Sequence, residues 1–154
     1  AVVRRRMEVV GAARGVPVID YFGEHRTAVR ETLDGMRAAH PSSRIWAVFE
    51  PRSASSCRSV FQREFAQSFG SADQIVIAGL YRSSLPPEER LSTDALIADL
   101  HSAGQHARYI QTVDGIVTAL SHESRPGDLV VVMSNGGFGG IHAKLLNALT
   151  TKAE

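Results

Sequence analysis

The chain has 154 residues, 44% of them apolar or aromatic and 21% charged, which suits one globular domain and excludes disorder, collagen and coiled coil. Seventeen Lys and Arg against sixteen Asp and Glu leave a formal charge of +1, so bulk electrostatics point to neither nucleic acid nor a membrane surface as a partner. One cysteine, Cys57, excludes an intrachain disulfide and a cysteine-built zinc site; no run nears the roughly 20 apolar residues of a membrane span and no signal peptide is visible, so a cytoplasmic chain is predicted.

In chain order, residues 2–10 alternate weakly and are rich in valine, 11–15 hold turn glycines, and 16–20 form a second apolar run. Together they predict a hairpin. Ala28, Val29, Leu33, Met36 and Ala39 recur at helical spacing, and the His-Pro-Ser-Ser stretch at 40–43 ends that helix because proline restricts the residue before it. Residues 44–49 form a strand, and Val60, Phe61, Phe65 and Phe69 mark a helix ending at Gly70. A strand over 74–80 is followed by the Pro-Pro loop and a helix to about residue 102. That helix is capped by Ser92 and stapled by Leu91 and Leu96. A short strand at 106–110 precedes a helix with Thr112 as N-cap and Val113, Ile116, Val117 and Leu120 on its apolar face. Residues 128–133 form the most apolar strand, and Ile141, Leu145, Leu146 and Leu149 stripe a C-terminal helix.

Strands near 45, 75, 107 and 129, each followed by a helix, predict an α/β domain. Its doubly wound, mostly parallel sheet has an antiparallel hairpin strand at one edge. Ligands of such sheets sit outside the carboxyl ends of the strands, which selects the loops at 20–26, 50–57, 81–90 and 133–140.

The segment Ser134-Asn-Gly-Gly-Phe-Gly-Gly at 134–140 joins a strand to a helix N-terminus, where glycines expose amides and permit positive φ. It fits either an anion-binding turn or close packing. It is neither G-x-G-x-x-G nor a Walker loop. His142 and Lys144 follow on the first helical turns, where either could serve a ligand or simply face water. In the loop after residue 49, Arg52 offers a planar fork for a carboxylate or phosphate, and Ser53 and Ser55 add hydroxyls. The alternative is that they make a turn and cap the next helix. Asp20, Glu24, His25 and Arg26 gather at a strand-to-helix junction, as a site or as a helix start favoured by the dipole. His40, His101, His106 and His122 show no spacing of a metal cage, so no metal is assigned.

The combination V-I-D-Y-F-G-E-H-R-T-A-V at 18–29, F-E-P-R-S at 49–53, L-P-P-E-E-R-L at 85–91 and V-V-M-S-N-G-G-F-G-G-I-H-A-K-L-L at 131–146 resembles the C-terminal domain of Mur ligases. It is most similar to the peptidoglycan-recycling branch, which joins L-Ala-γ-D-Glu-meso-diaminopimelate to UDP-N-acetylmuramate. The resemblance covers nearly the whole chain and implies a Rossmann-like domain that binds substrate and closes over its neighbours. It also implies an ATP-dependent amide ligase with an N-terminal UDP-sugar domain and a central P-loop domain holding ATP and Mg²⁺, neither within this chain. Such a domain alone is expected to be inactive, with no catalytic or metal-binding residue of its own.

By the same resemblance, Phe22, Glu24, His25, Arg52, Ser53, Ser55, Ser134, Asn135, Gly136, Gly137, Phe138, Gly139 and His142 would bind substrate, with Asp20 and His25 toward the nucleotide. Tyr21, Glu24 and Arg26 stand where the family has Asp, His and Pro, at positions expected to meet nucleotide and incoming substrate. Residues 2–8 resemble the family's passage from the central domain, which predicts a chain beginning at a domain boundary. A free-standing Rossmann-like ligand-binding module without ligase activity is the alternative. A nicotinamide oxidoreductase is disfavoured because no G-x-G-x-x-G follows the first strand.

Overall fold

A computed structural model describes residues 6–22, 26–51, 62–79, 92–134 and 138–151. Twelve short elements follow one another: β1 (Arg6–Ala13), β2 (Val16–Phe22), α1 (Arg26–Ala39), β3 (Ile45–Phe49), α2 (Gln62–Ser68), β4 (Gln74–Ile77), α3 (Thr93–Ser102), β5 (His106–Tyr109), α4 (Val113–Glu123), β6 (Leu129–Ser134), a 3-10 turn (Phe138–Gly140) and α5 (Ile141–Thr151).

The hairpin forms because Arg14 and Gly15 both take positive φ, 54° and 76°. That pair is the two-residue turn whose twist matches antiparallel strands. It is tighter than the five-residue turn the glycines suggested, and β1 consequently extends to Ala13. Serine and threonine hydroxyls start two helices as expected: Ser92 accepts from the Ala95 amide at 3.1 Å, and Thr112 from the Gly115 amide at 3.1 Å. Each satisfies an amide that has no partner within its helix. Leu91 of the expected staple lies outside the described residues.

The six strands are ordered β1-β2-β6-β3-β4-β5. Only β1 is antiparallel to its neighbour; the pairings β2–β6, β6–β3, β3–β4 and β4–β5 are parallel. Side chains alternate between the two faces, so each central strand feeds two cores. Ile19, Tyr21, Ala47, Phe49 and Met133 pack with Leu33 of α1, Phe65 of α2 and Leu96 of α3. Val18, Trp46, Val48, Val130 and Val132 pack with Ile116 and Leu120 of α4 and Ile141 and Leu145 of α5. All residues of β3 and β6 are buried, which is why both segments carry unbroken apolar runs rather than alternation.

At the amino ends of the strands, a polar lattice closes the structure. Asp128 Oδ2 accepts from Arg44 Nη2 at 2.8 Å, Arg44 Nε at 3.1 Å, the Trp46 indole at 2.9 Å and the Arg125 amide at 2.9 Å. The Asp73 carboxylate accepts from Arg37 and from the Ile45 amide, the latter at 2.8 Å. Burial opposes ionisation of Asp128, but the hydrogen bonds from Arg44, Trp46 and Arg125 outweigh it and hold the carboxyl below the usual carboxylate range.

Candidate functional site

α1, α2 and α3 belong to one face of the sheet, α4 and α5 to the other. β3 leads into α2 and its neighbour β6 into α5, so the chain departs from these two adjacent strands toward opposite faces. A crevice opens between strand ends where such departures diverge, and doubly wound domains bind ligands there.

Polar residues replace apolar ones at this edge. Ser134, the last residue of β6, donates its hydroxyl to Glu50 Oε1 at 2.6 Å. Glu50 directly follows β3, and both residues are buried, at 4% and 7% exposure. The strands hold together one step further, where the Glu50 amide donates to the Met133 carbonyl at 3.1 Å. A short hydroxyl-to-carboxylate bond is stronger than a neutral one, so it fastens the two strand ends across the divergence. Glu50 is the residue that sequence reasoning missed. Its signal was present, since a carboxylate directly after five apolar residues and before Pro51 marks the point at which a buried strand meets the ligand edge.

Asp20 near the end of β2 points to the α5 side, in phase with Val18. Its Oδ1 lies 2.9 Å from His142 Nε2 on the first turn of α5. Both side chains are partly accessible, His142 at 23% and Asp20 at 28%. The glycine-rich turn between β6 and α5 carries positive φ at Phe138, Gly139 and Gly140, 50°, 58° and 71°. A Cβ at Gly139 would come within 3.0 Å of Val113 Cγ2, so close packing against α4 accounts for one of these glycines.

Several expected ligand contacts take a different form. The Phe138 side chain is 1% exposed and belongs to the core beneath α4 and α5. Its ring anchors the turn from below, since burying a phenyl side chain is favourable relative to facing water. Tyr21 likewise departs from the expected ligand-facing position: its side chain is 3% exposed in the core on the α1 face, since residues 20 and 21 of a strand must point to opposite faces. Among the described residues its hydroxyl has no hydrogen-bond partner. Ser134 Oγ donates to Glu50, and His142 Nε2 pairs with Asp20. Lys144 is exposed, 3.4 Å from Asp114. Of Phe22 only the backbone is described, pairing in register with Ser134. Glu24, His25, Arg52, Ser53, Ser55, Asn135, Gly136 and Gly137, with Cys57 and the loop at 81–90, lie outside the described residues.

Among the described residues, no three His, Cys, Asp or Glu side chains cluster as metal ligands, and no helix is long and apolar enough to cross a membrane. The topology defines a Rossmann-like α/β domain with polar residues at the carboxyl ends of β3 and β6. The chain belongs to the Mur ligase family, for residues 5–136 match the Mur ligase glutamate ligase domain.

Its relatives include ligases of more than one type. Over 152 residues the chain is 38% identical to the UDP-N-acetylmuramate–L-alanyl-γ-D-glutamyl-meso-2,6-diaminoheptandioate ligase of Escherichia coli K12, covering 98% of this chain and 31% of that protein. Against the UDP-N-acetylmuramate–L-alanine ligase of Desulfitobacterium hafniense the identity is also 38%, over 86% of this chain and 30% of the relative. The crystal structure of a murein peptide ligase from Psychrobacter arcticus superposes with a TM-score of 0.82 at 32% identity, covering 98% of this chain and 31% of that one. The chain thus spans about a third of the length of the relatives it matches.

Proposed function

We propose that this chain is the C-terminal, substrate-binding and closing domain of an ATP-dependent ligase. The parent enzyme would join L-Ala-γ-D-Glu-meso-diaminopimelate to UDP-N-acetylmuramate in the cytoplasm, as a step of cell-wall recycling. The observation that supports the choice of peptide over L-alanine is 38% identity to the E. coli peptide ligase along 98% of the chain, where L-alanine ligases matched over 97% and 99% of it are 32% identical and the one of equal identity is matched over 86%.

The N-terminal and central domains of the parent would supply the UDP-sugar site, ATP and Mg²⁺. ATP supplies a phosphoryl group that turns the muramate carboxylate into an acyl phosphate with a good leaving group. The peptide amine attacks the acyl carbon, phosphate leaves, and an amide forms with loss of a proton. The present chain contributes orientation and exclusion of water from that step. Arg52, with Ser53 and Ser55, would grip a peptide carboxylate; Glu24, His25 and the amides of Asn135, Gly136, Gly137 and Gly139 would line the closing face; and Asp20 would accept from a ligand hydroxyl or ammonium.

The test is ligation by the full-length parent with UDP-N-acetylmuramate, ATP and either the tripeptide or L-alanine, following ADP release and product mass. Amide product with the tripeptide is expected. Product with L-alanine alone would overturn the substrate, and no product from a folded, ATP-binding parent would overturn the ligase reading. Arg52→Ala should raise KM for the peptide more than for ATP, and an unchanged peptide KM would remove that residue from the site.

A further inference from the structure

We propose that His142 is a positioning residue, which acts on a ligand only through Asp20 by holding that carboxylate at the mouth of the crevice. The inference rests on the ligase reading above and changes the role that sequence resemblance implies for His142, from substrate contact to support.

The fold builds this pair deliberately at a distance, because 122 residues separate its members. α5 can sit close to the hairpin since Gly11 of β1 has no side chain; a Cβ there would lie 2.8 Å from Leu146 Cδ1. Leu146 and His142 are four residues apart on one helix, hence on one face. The contact that seats Leu146 on β1 therefore aims His142 at the adjacent strand, where Asp20 Oδ1 is 2.9 Å from Nε2. Among the described residues this is the hydrogen bond that the Asp20 carboxylate makes, which leaves acceptor capacity on a side chain still 28% exposed.

Histidine suits the task. In its neutral Nε2–H form it donates to the carboxylate and fixes its rotamer without cancelling its charge, whereas Lys or Arg would neutralise the group that has to attract a ligand donor. The same bond ties the β2 end, where the 20–26 loop begins, to the helix that follows the glycine-rich turn. The strand end and the helix start are thereby held in one mutual arrangement, as supporting partners hold ligand groups elsewhere.

A double-mutant cycle in the parent enzyme reads this directly. His142→Ala should lower kcat/KM by roughly 10–100-fold, altering the KM of the same substrate that Asp20→Ala alters. His142→Gln, which keeps a donor in reach, should recover most of the loss. Asp20→Ala with His142→Ala should be no worse than Asp20→Ala alone. Additive losses, or a different substrate affected by each variant, would show that His142 touches ligand itself; unchanged kinetics in His142→Ala would reduce the pair to a structural contact. Either result overturns the proposal.

Ring nitrogen NMR of the 154-residue chain gives a readout independent of ligation. His142 should be held as the Nε2–H tautomer, and Asp20→Ala should release it to a mixture. A mixed tautomer in the unmodified chain would overturn the pairing. If the parent forms no amide while the tautomer is held, the ligase reading falls and the pairing stands.

Discussion

The two ends of the sheet are built on different principles. At the amino end, Arg44, Asp73 and Asp128 each immediately precede a strand, and a single oxygen of Asp128 collects four donors. Trp46 lies under that lattice with the Arg44 guanidinium 5.1 Å from its ring centre. At the carboxyl end, the described side-chain bonds include Ser134 to Glu50 and His142 to Asp20. One acceptor shared by four donors fixes the starts of β3 and β6 against each other, whereas the described carboxyl-end bonds are pairwise and stand beside the loops that lead into the helices.

The largest expected effect breaks the closed end. Asp128→Ala leaves a buried indole N–H and a guanidinium without their acceptor, and the loss of stability should be about 3 kcal/mol by urea denaturation. A loss under about 1 kcal/mol would show that the lattice contributes little to the fold. The same carboxylate carries a pH signature. Its folded-state value lies below its unfolded one, near 3.9 for Asp, so its stabilisation is complete above that value and disappears as pH falls through the folded value. Below about pH 4 the unmodified chain should lose stability more steeply than Asp128→Asn does. Parallel acid titrations would remove Asp128 from this role.

A smaller effect belongs to the ligand edge. Ser134→Ala deletes one bond to a Glu50 that keeps a further partner, and about 1 kcal/mol of destabilisation is expected. An effect as large as that at Asp128 would erase the contrast between the two ends. The smallest lies on the surface, where Arg108 and Glu123 form paired hydrogen bonds of 2.6 Å with side chains 37% and 44% exposed. The Arg108 bond is the main cause of the lowered Glu123 carboxyl, yet water and salt screen such a pair, so Arg108→Gln should cost well under about 1 kcal/mol and less still in high salt. A larger, salt-independent loss would place Arg108 in the closed lattice through Trp46, 5.8 Å away.

Much of the secondary structure was legible because it follows from local rules. The buried runs at β3 and β6, the caps at Ser92 and Thr112 and the helical stripes of α4 and α5 match the expected segments within a few residues. The hairpin turn was narrower than expected because Arg14 accepts a left-handed backbone, which a residue other than glycine, asparagine or aspartate rarely does. The placement of Ser134 and His142 at the carboxyl edge of the sheet was legible in the same way. The burial of the Phe138 and Tyr21 side chains was not legible, because whether a residue beside a loop faces inward depends on the helix lying over it.

The sequence by itself determined the order of strands and helices and the parallel sheet with its hairpin edge, since periodicity, capping and turn chemistry act over a few residues, and the resemblance of its motifs pointed to the family. Only the tertiary structure decided which polar groups meet there. Insertion of β6 between β2 and β3 brings Ser134 to Glu50 across 84 residues, and the seating of α5 on β1 brings His142 to Asp20 across 122. Such pairings are set by strand order and helix packing, which no local pattern encodes.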